Sequence, residues 1–256
     1  MESEPVESAI SEQGEKRLDF SQRALPSELP EWMDGPHSPA ERRGYLGDLE
    51  LINRLLLGYR PILNWLDALL PRMRALGEPV RVLDVGCGFG DTLRRIARWA
   101  KSNSVAMELT GLDLSAETAA IAAERTEPGL RIRYVAADVF AYTPEQQAHL
   151  VVSSLFTHHL EDAEIVRFLR WMEEHAAIGW CINDLSRHPV PYTLFRWFAS
   201  MLRLHPFVRH DGPVSIARAF RDDDWQRYCA AAGLNLTEVQ IRGFTPGRLR
   251  VSRNKR

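Results

Sequence analysis

The run Val82-Leu83-Asp84-Val85-Gly86-Cys87-Gly88-Phe89-Gly90 constrains this chain more than any other stretch. An apolar segment that ends in an acid and then in glycines at alternate positions has the pattern of a buried parallel strand entering a tight turn. Glycine permits positive φ and removes the Cβ atoms that would hold a ligand away from the backbone. The residues that follow, Asp91 to Trp99, repeat apolar side chains at helical spacing, so the turn leads into a helix N-terminus. Strand, glycine turn and helix together predict a nucleotide-type cofactor site.

The spacing narrows the cofactor. Dinucleotide sites use G-x-G-x-x-G with a pyrophosphate over the helix N-terminus. Here the third glycine arrives one residue early, and no Lys-Ser or Lys-Thr follows to make a phosphate loop. Asp84, at the strand end, suits a cationic ligand group better than a phosphate. Leu109 to Ser115 reads as a second strand ending in Asp113, placed to accept hydrogen bonds from both ribose hydroxyls. A third strand, Arg131 to Val139, ends in Asp138, placed to accept from an adenine amino group.

Three acids at three successive strand ends resemble the class I S-adenosylmethionine-dependent methyltransferases, small-molecule type, from about Val80 to the C-terminus. The resemblance implies Asp84 and Gly86 near the methionine portion of S-adenosyl-L-methionine, with Gly88 and Gly90 allowing close passage. It implies Asp113 on the ribose and Asp138 with the Val139 backbone on the adenine. Cys87, Leu114 and Ser154 join the same expected cofactor-binding set. One departure is the long Arg98–Leu109 connection, which pushes Asp113 further downstream than usual.

The remaining pattern predicts a Rossmann-like α/β fold: a seven-stranded, mostly parallel sheet with helices on both faces. Strands are expected at 80–85, 107–113, 131–136, 149–154, 178–183, 235–241 and 247–252, and the resemblance implies that the last pair includes one antiparallel strand. Residues 1–34 read as an acidic tail, disordered or loosely attached, and 35–76 as an N-terminal helical cap. The cofactor domain then spans 77–256, with a helical lid insertion at about 189–220. The cap helices and the insertion are expected to roof the substrate pocket. The last segment, Arg242 to Arg256, carries basic residues without an acid and reads as a solvated edge.

Candidate chemistry lies after strands four and five, because open α/β sheets bind ligands beyond their carboxyl ends. Strand four ends in Thr157-His158-His159-Leu160-Glu161-Asp162, resembling the fourth motif of small-molecule methyltransferases, where a histidine precedes an apolar residue and an acid. His159 takes that position, with His158 beside it, and histidine is the side chain best suited to take a proton near neutral pH. Equally, the pair caps the next helix or packs on the cofactor. After strand five, Arg187 is placed to pair with an anionic or enolate oxygen of the substrate, or else to bridge Asp184 or another loop acid. His210, oriented by Asp211 in a predicted loop, is a second candidate base or a surface turn. Trp32, Met33 and Tyr45 are candidates to close over a sulfonium.

Composition bounds the partners. Apolar residues make up 45% of the 256, and the net charge is −2, which argues against a broad nucleic-acid footprint. No apolar run reaches the length of a membrane span. The acidic, polar N-terminus does not resemble a leader peptide, and the three cysteines, Cys87, Cys181 and Cys229, have no metal-binding spacing. The expectation is a cytoplasmic enzyme that O-methylates a small hydroxylated aromatic or polyketide-like acceptor without a metal. C-methylation of an activated ring carbon, a cofactor-binding regulator without turnover, and an RNA or protein methyltransferase reading its target through the basic C-terminal segment are the alternatives. Oligomeric state is not encoded in these patterns.

Overall fold

The computed structural model describes residues 19–35 and 38–255. Seven strands form one sheet in the order β3-β2-β1-β4-β5-β7-β6. They are β1 (Val80–Val85), β2 (Met107–Asp113), β3 (Ile132–Ala136), β4 (Ala148–Ser154), β5 (Ala176–Leu185), β6 (Val239–Phe244) and β7 (Arg248–Asn254). All neighbours pair in parallel except β7, which runs antiparallel to both β5 and β6. Residues 1–18, the greater part of the expected acidic tail, lie outside the described residues.

Alternation along the strands builds a core on each face. On one face Leu83, Val85 and Trp180 pack with Phe168 and Leu169 of α5 (Asp162–His175) and with Trp225 of α8 (Asp222–Ala231). On the other, Val80, Val82 and Cys181 meet Trp65 and Leu66 of α2 (Arg60–Arg74) and Leu93 and Ile96 of α3 (Asp91–Ser102). The remaining crossover helix, α4 (Ala116–Glu124), starts at Ser115, whose side chain accepts from the Thr118 N–H and caps it.

Three helices sit above the carboxyl edge of the sheet. They are α1 (Pro39–Leu55), α6 (Pro189–Met201) and α7 (Pro206–Arg218). Tyr45 and Ile52 of α1 pack with Ala199, Leu204 and Val208 in a small separate core. A reciprocal capping box between Ser38 and Glu41, with Pro39 at the first position, starts α1.

Two expectations need correction. Residues 206–218 form a helix rather than a loop. Gly212 and Pro213 disguise it, and Gly212 is required because a Cβ there would lie 1.9 Å from the Phe195 ring. Most of the described basic residues of the C-terminal segment are not a solvated edge, although Arg242 is exposed. Arg248 and Arg250 are 4% exposed and donate to Asn53 and Asn64, while Arg253 pairs with Glu173 and Glu238. Burial lowers the Arg248 guanidinium to about 10. Among the described residues, no helix is long and apolar enough to cross a membrane.

Candidate active site

The chain lays β1, β2 and β3 outward to one side and then returns to place β4 on the other side of β1, so the order reverses between β1 and β4. A crevice opens at such a reversal. Here it is a cavity of about 620 Å³ at the carboxyl ends of these strands. Asp84, Gly86, Cys87, Gly88, Asp113, Leu114, Asp138, Val139, Ser154 and His159 all line it. Gly90, His158, Arg187 and His210 do not.

The glycine turn is held open by geometry. Gly86, Gly88 and Gly90 all have positive φ, at 66°, 48° and 69°. A Cβ on Gly86 would strike the Phe156 ring at 2.4 Å, and one on Gly90 would collide with the Tyr134 hydroxyl. At Gly88 a Cβ would meet nothing within 4 Å, because this residue faces the cavity. Gly90 instead forms the N-cap of α3. The Gly88 N–H donates to Asp113 Oδ2 (2.9 Å) and the Ser115 N–H to Asp113 Oδ1 (3.0 Å), tying the turn to the end of β2.

Asp84 is 1% exposed, and neither carboxylate oxygen has a hydrogen-bond partner within the protein. Burial, reinforced by Asp91 and Asp113, pushes its carboxyl well above the ordinary range. An unpaired buried carboxylate is costly unless something satisfies it. A ligand ammonium does so, and the donor set therefore fits the amino-acid end of a methionine-type cofactor. Burial also raises Asp113, against the two backbone donors that lower it. Asp138 is exposed and accepts from the Phe140 N–H at 2.9 Å, which sets the bend after β3. Leu114 is 78% exposed at the cavity lip, and Ser154 accepts from Asn183 Nδ2 at 2.9 Å. Cys87 is buried beside Asp84 and Asp113, and burial, then their charges, raise its thiol well above its usual value.

The expected loose tail is, over residues 19–35, a strap bound across α7 and the turn after β4. Arg23 pairs with Asp162 at 2.7 Å and donates to the Leu160 carbonyl. The Ala24 N–H donates to the Ala217 carbonyl, and the Trp32 and Met33 N–H groups donate to the two Asp211 oxygens, each at 2.8 Å. Glu31, 3% exposed, accepts from the buried Arg218 guanidinium at 2.9 Å and from Ser215 at 2.8 Å. Met33 and Asp34 thereby reach the cavity. The α1 face bearing Tyr45, Leu46, Leu49 and Asn53 completes the roof. The inserted helix α6 contributes no lining residue, which corrects its expected role as the pocket lid.

The two histidines diverge. His159 lines the cavity, with Nδ1 3.2 Å from Asp34 Oδ1 and 3.9 Å from Glu31 Oε2. Burial alone lowers its imidazole, but Glu31 and Asp34 outweigh this and leave it raised above 6.5. His158 is buried behind it, donating from Nδ1 to Asp184 Oδ1 at 2.7 Å. Asp184 also accepts from the Thr157 hydroxyl. Burial opposes ionisation of Asp184, yet His158, Thr157 and the Leu185 N–H bring it down to about 2. Glu31, His158 and His159 set ligand-type atoms within 4.8 Å of one another. Arg218 already supplies the cationic partner to that carboxylate.

Arg187 is not available to a substrate. It is 2% exposed, pairs with Asp224 at 2.7 Å and donates to the carbonyls of Phe20 and Ala219, clamping the strap to α8. The partner is Asp224 rather than Asp184. His210 likewise lies outside the cavity. Its Nδ1 donates to Asp211 at 2.7 Å, and its ring stacks on Trp32 at 3.9 Å, so it fastens the strap. Trp32 is committed to that stack, whereas Met33 and Tyr45 do face the cavity. Glu31, Asp34, Asp184 and Arg218 were missed as a group. Nothing local marks them, because their partners come from distant segments. A buried carboxylate in β5 and an arginine on an apolar helix were the available signals.

Residues 82–179 match the family model described as a methyltransferase domain. A trans-aconitate 2-methyltransferase of Streptomyces avermitilis is 41% identical over 164 residues, covering 60% of this chain, and the chain spans 59% of that relative's length. The human N-acetylserotonin methyltransferase solved with SAM has a TM-score of 0.59 at 13% identity, covering 85% of this chain and 56% of that one. The plantazolicin methyltransferase BpumL, solved with SAH and a pentazolic analog, gives 0.58 at 14%, covering 85% and 97%. The two structures share the fold. The ordered strand-end acids and the glycine turn at the sheet reversal agree with the match, so residues 82–179 carry a methyltransferase domain and the chain has the fold of S-adenosylmethionine-dependent methyltransferases.

Proposed function

We propose that this protein transfers a methyl group from S-adenosylmethionine to the oxygen of a small, uncharged hydroxylated acceptor. The observation that carries the reading is the pairing of two features in one cavity: the unpartnered buried Asp84 carboxylate and the Asp34-oriented His159 imidazole. The cofactor supplies a methyl group activated on a sulfonium. Everything else falls to the chain.

Asp84 accepts from the cofactor ammonium, and Gly86 and Gly88 let the backbone come close. Asp113, already fixed by the Gly88 and Ser115 N–H groups, presents its free lone pairs to the ribose hydroxyls. Asp138 and the Val139 backbone would hold the adenine, and Leu114 and Cys87 line the same cavity. Methyl transfer is an in-line displacement, so holding the acceptor at close range supplies much of the acceleration. His159 takes the hydroxyl proton, and Asp34 stabilises the imidazolium that results. His158, locked to Asp184, backs the His159 ring at 4.2 Å between centroids and fixes its position.

The cavity's charge supports an uncharged acceptor. Its lining carries seven carboxylates, Asp34, Glu50, Asp84, Asp91, Asp113, Asp138 and Glu164, against one guanidinium, Arg42, which already pairs with Glu117. The His159 imidazole pairs with Asp34, so among the described lining residues no unpaired cation is left for a polycarboxylate of the kind named for the Streptomyces relative. Aromatic and aliphatic walls from Tyr45, Leu46, Leu49, Phe156 and Leu160 suit a hydroxylated aromatic or polyketide-like molecule.

The test is transfer of labelled methyl from S-adenosylmethionine to a panel of phenols, hydroxylated polyketides and tricarboxylates, with the new bond assigned by mass spectrometry. A labelled aryl or alkyl ether from the neutral acceptors is expected. A methyl ester of a tricarboxylate, or a new carbon–carbon bond, would overturn the assigned acceptor.

A further inference from the structure

Helix α6 is apolar on the wrong side as well as the right one. Its inner face, with Phe195 and Ala199, packs into the small core shared with α1 and α7. Its outer face carries Val190, Leu194, Trp197 and Met201, which are 55%, 60%, 66% and 55% exposed. At about 100° per residue these four fall within about 60° of arc, so they form one continuous stripe and not scattered surface residues. A stripe of this kind on a soluble surface marks something that covers it.

Charge identifies what that is. From Leu185 to His210 the sequence contains no Asp or Glu. Within that acid-free stretch Arg196, Arg203 and Arg209 are exposed. A helix with a Trp and Leu stripe, flanked by exposed arginines on its far side, just after it and at the start of α7, is suited to lie in the plane of a lipid–water interface, with the stripe at the acyl boundary and the cations reaching anionic headgroups. We infer that α6 is a peripheral membrane-docking helix, and that its partner is an anionic bilayer surface. The stripe lies outside the cavity, so docking and methyl transfer are separable functions of the chain.

The test is flotation of the full chain with phosphatidylcholine vesicles, with and without phosphatidylglycerol, at low and high salt. The expected result is flotation with the anionic vesicles only, weakened by salt. Leu194→Gln combined with Trp197→Gln should reduce partitioning about tenfold or more, by removing the largest apolar anchors. Arg203→Gln combined with Arg209→Gln should reduce it independently. All four positions are exposed, so melting curves and cofactor binding should match the unsubstituted protein. Failure to float with either vesicle, flotation indifferent to phosphatidylglycerol, or flotation unchanged by Leu194→Gln with Trp197→Gln would overturn the inference. So would a dimer in sedimentation that those same substitutions dissociate, because a second copy would then be the cover.

Discussion

His159 Nδ1 and Asp34 Oδ1 lie 3.2 Å apart at the cavity wall, joining the turn after β4 to the strap that precedes α1. Asp34 is drawn down to about 2, because the His159 hydrogen bond and charge and the Arg218 charge together outweigh the burial that raises it. The pair therefore couples the candidate base to a segment far away in sequence.

The first prediction concerns pH. His159 must be neutral to accept a proton, and its value is raised, so kcat/KM should rise through a pH above 6.5. Asp34→Asn removes one of the charges that raise it. The acidic limb should move to lower pH while the plateau falls by about 10- to 100-fold, in line with a disoriented base. An unchanged limb in Asp34→Asn would detach Asp34 from His159.

The same shift has a stability consequence. A histidine raised on folding stabilises the folded state below its ordinary value of 6.5, and that contribution is lost as pH climbs through the raised value. Strap attachment should accordingly weaken above neutrality. Limited proteolysis within residues 19–35 at rising pH checks this, with faster cleavage expected on the alkaline side.

Arg218 and Glu31 form a buried ion pair, with side chains 1% and 0% exposed. Removing one partner of such a pair ordinarily costs about 3–5 kcal/mol. Here the strap can release instead, so the loss in Arg218→Met is capped by the strap's own docking energy. Calorimetric melting should fall, and protease sensitivity of residues 19–35 should appear well below the main transition. A variant that melts normally with an intact strap would contradict this account.

Asp84→Asn separates folding from ligand binding. The free protein gains or holds stability, because a buried, unpaired carboxylate is replaced by a neutral amide. Affinity for S-adenosylmethionine should drop by about 1.5–3 kcal/mol, the scale of a hydrogen bond to a charged group. Thermal melting with and without cofactor reads both quantities in one experiment.

Local chemistry made half of this site legible in the sequence. Asp84, Gly86, Gly88, Asp113 and Asp138 announce themselves because each belongs to a strand end and its own turn, where spacing and backbone freedom decide the geometry. Strand and helix alternation made the parallel sheet legible too, whereas the strand order appears only in the structure and the antiparallel strand came from the family resemblance. The strap was hidden for the opposite reason. Glu31 and Asp34 sit in an acidic, aperiodic segment, and only their pairing with Arg218 and His159 gives them a role. Arg187 and His210 looked like substrate groups because they are polar residues after buried elements. Their partners, Asp224 and Trp32 with Asp211, come from segments no local pattern connects.

The most direct measurement of the central claim is calorimetric titration of S-adenosylmethionine into the unsubstituted protein and into Asp113→Ala. One cofactor should bind per chain, and the substitution should weaken it by about 1.5–3 kcal/mol through loss of charge-assisted hydrogen bonds at the end of β2. Absence of binding, or equal affinity in Asp113→Ala, would contradict the placement of the cofactor over the glycine turn.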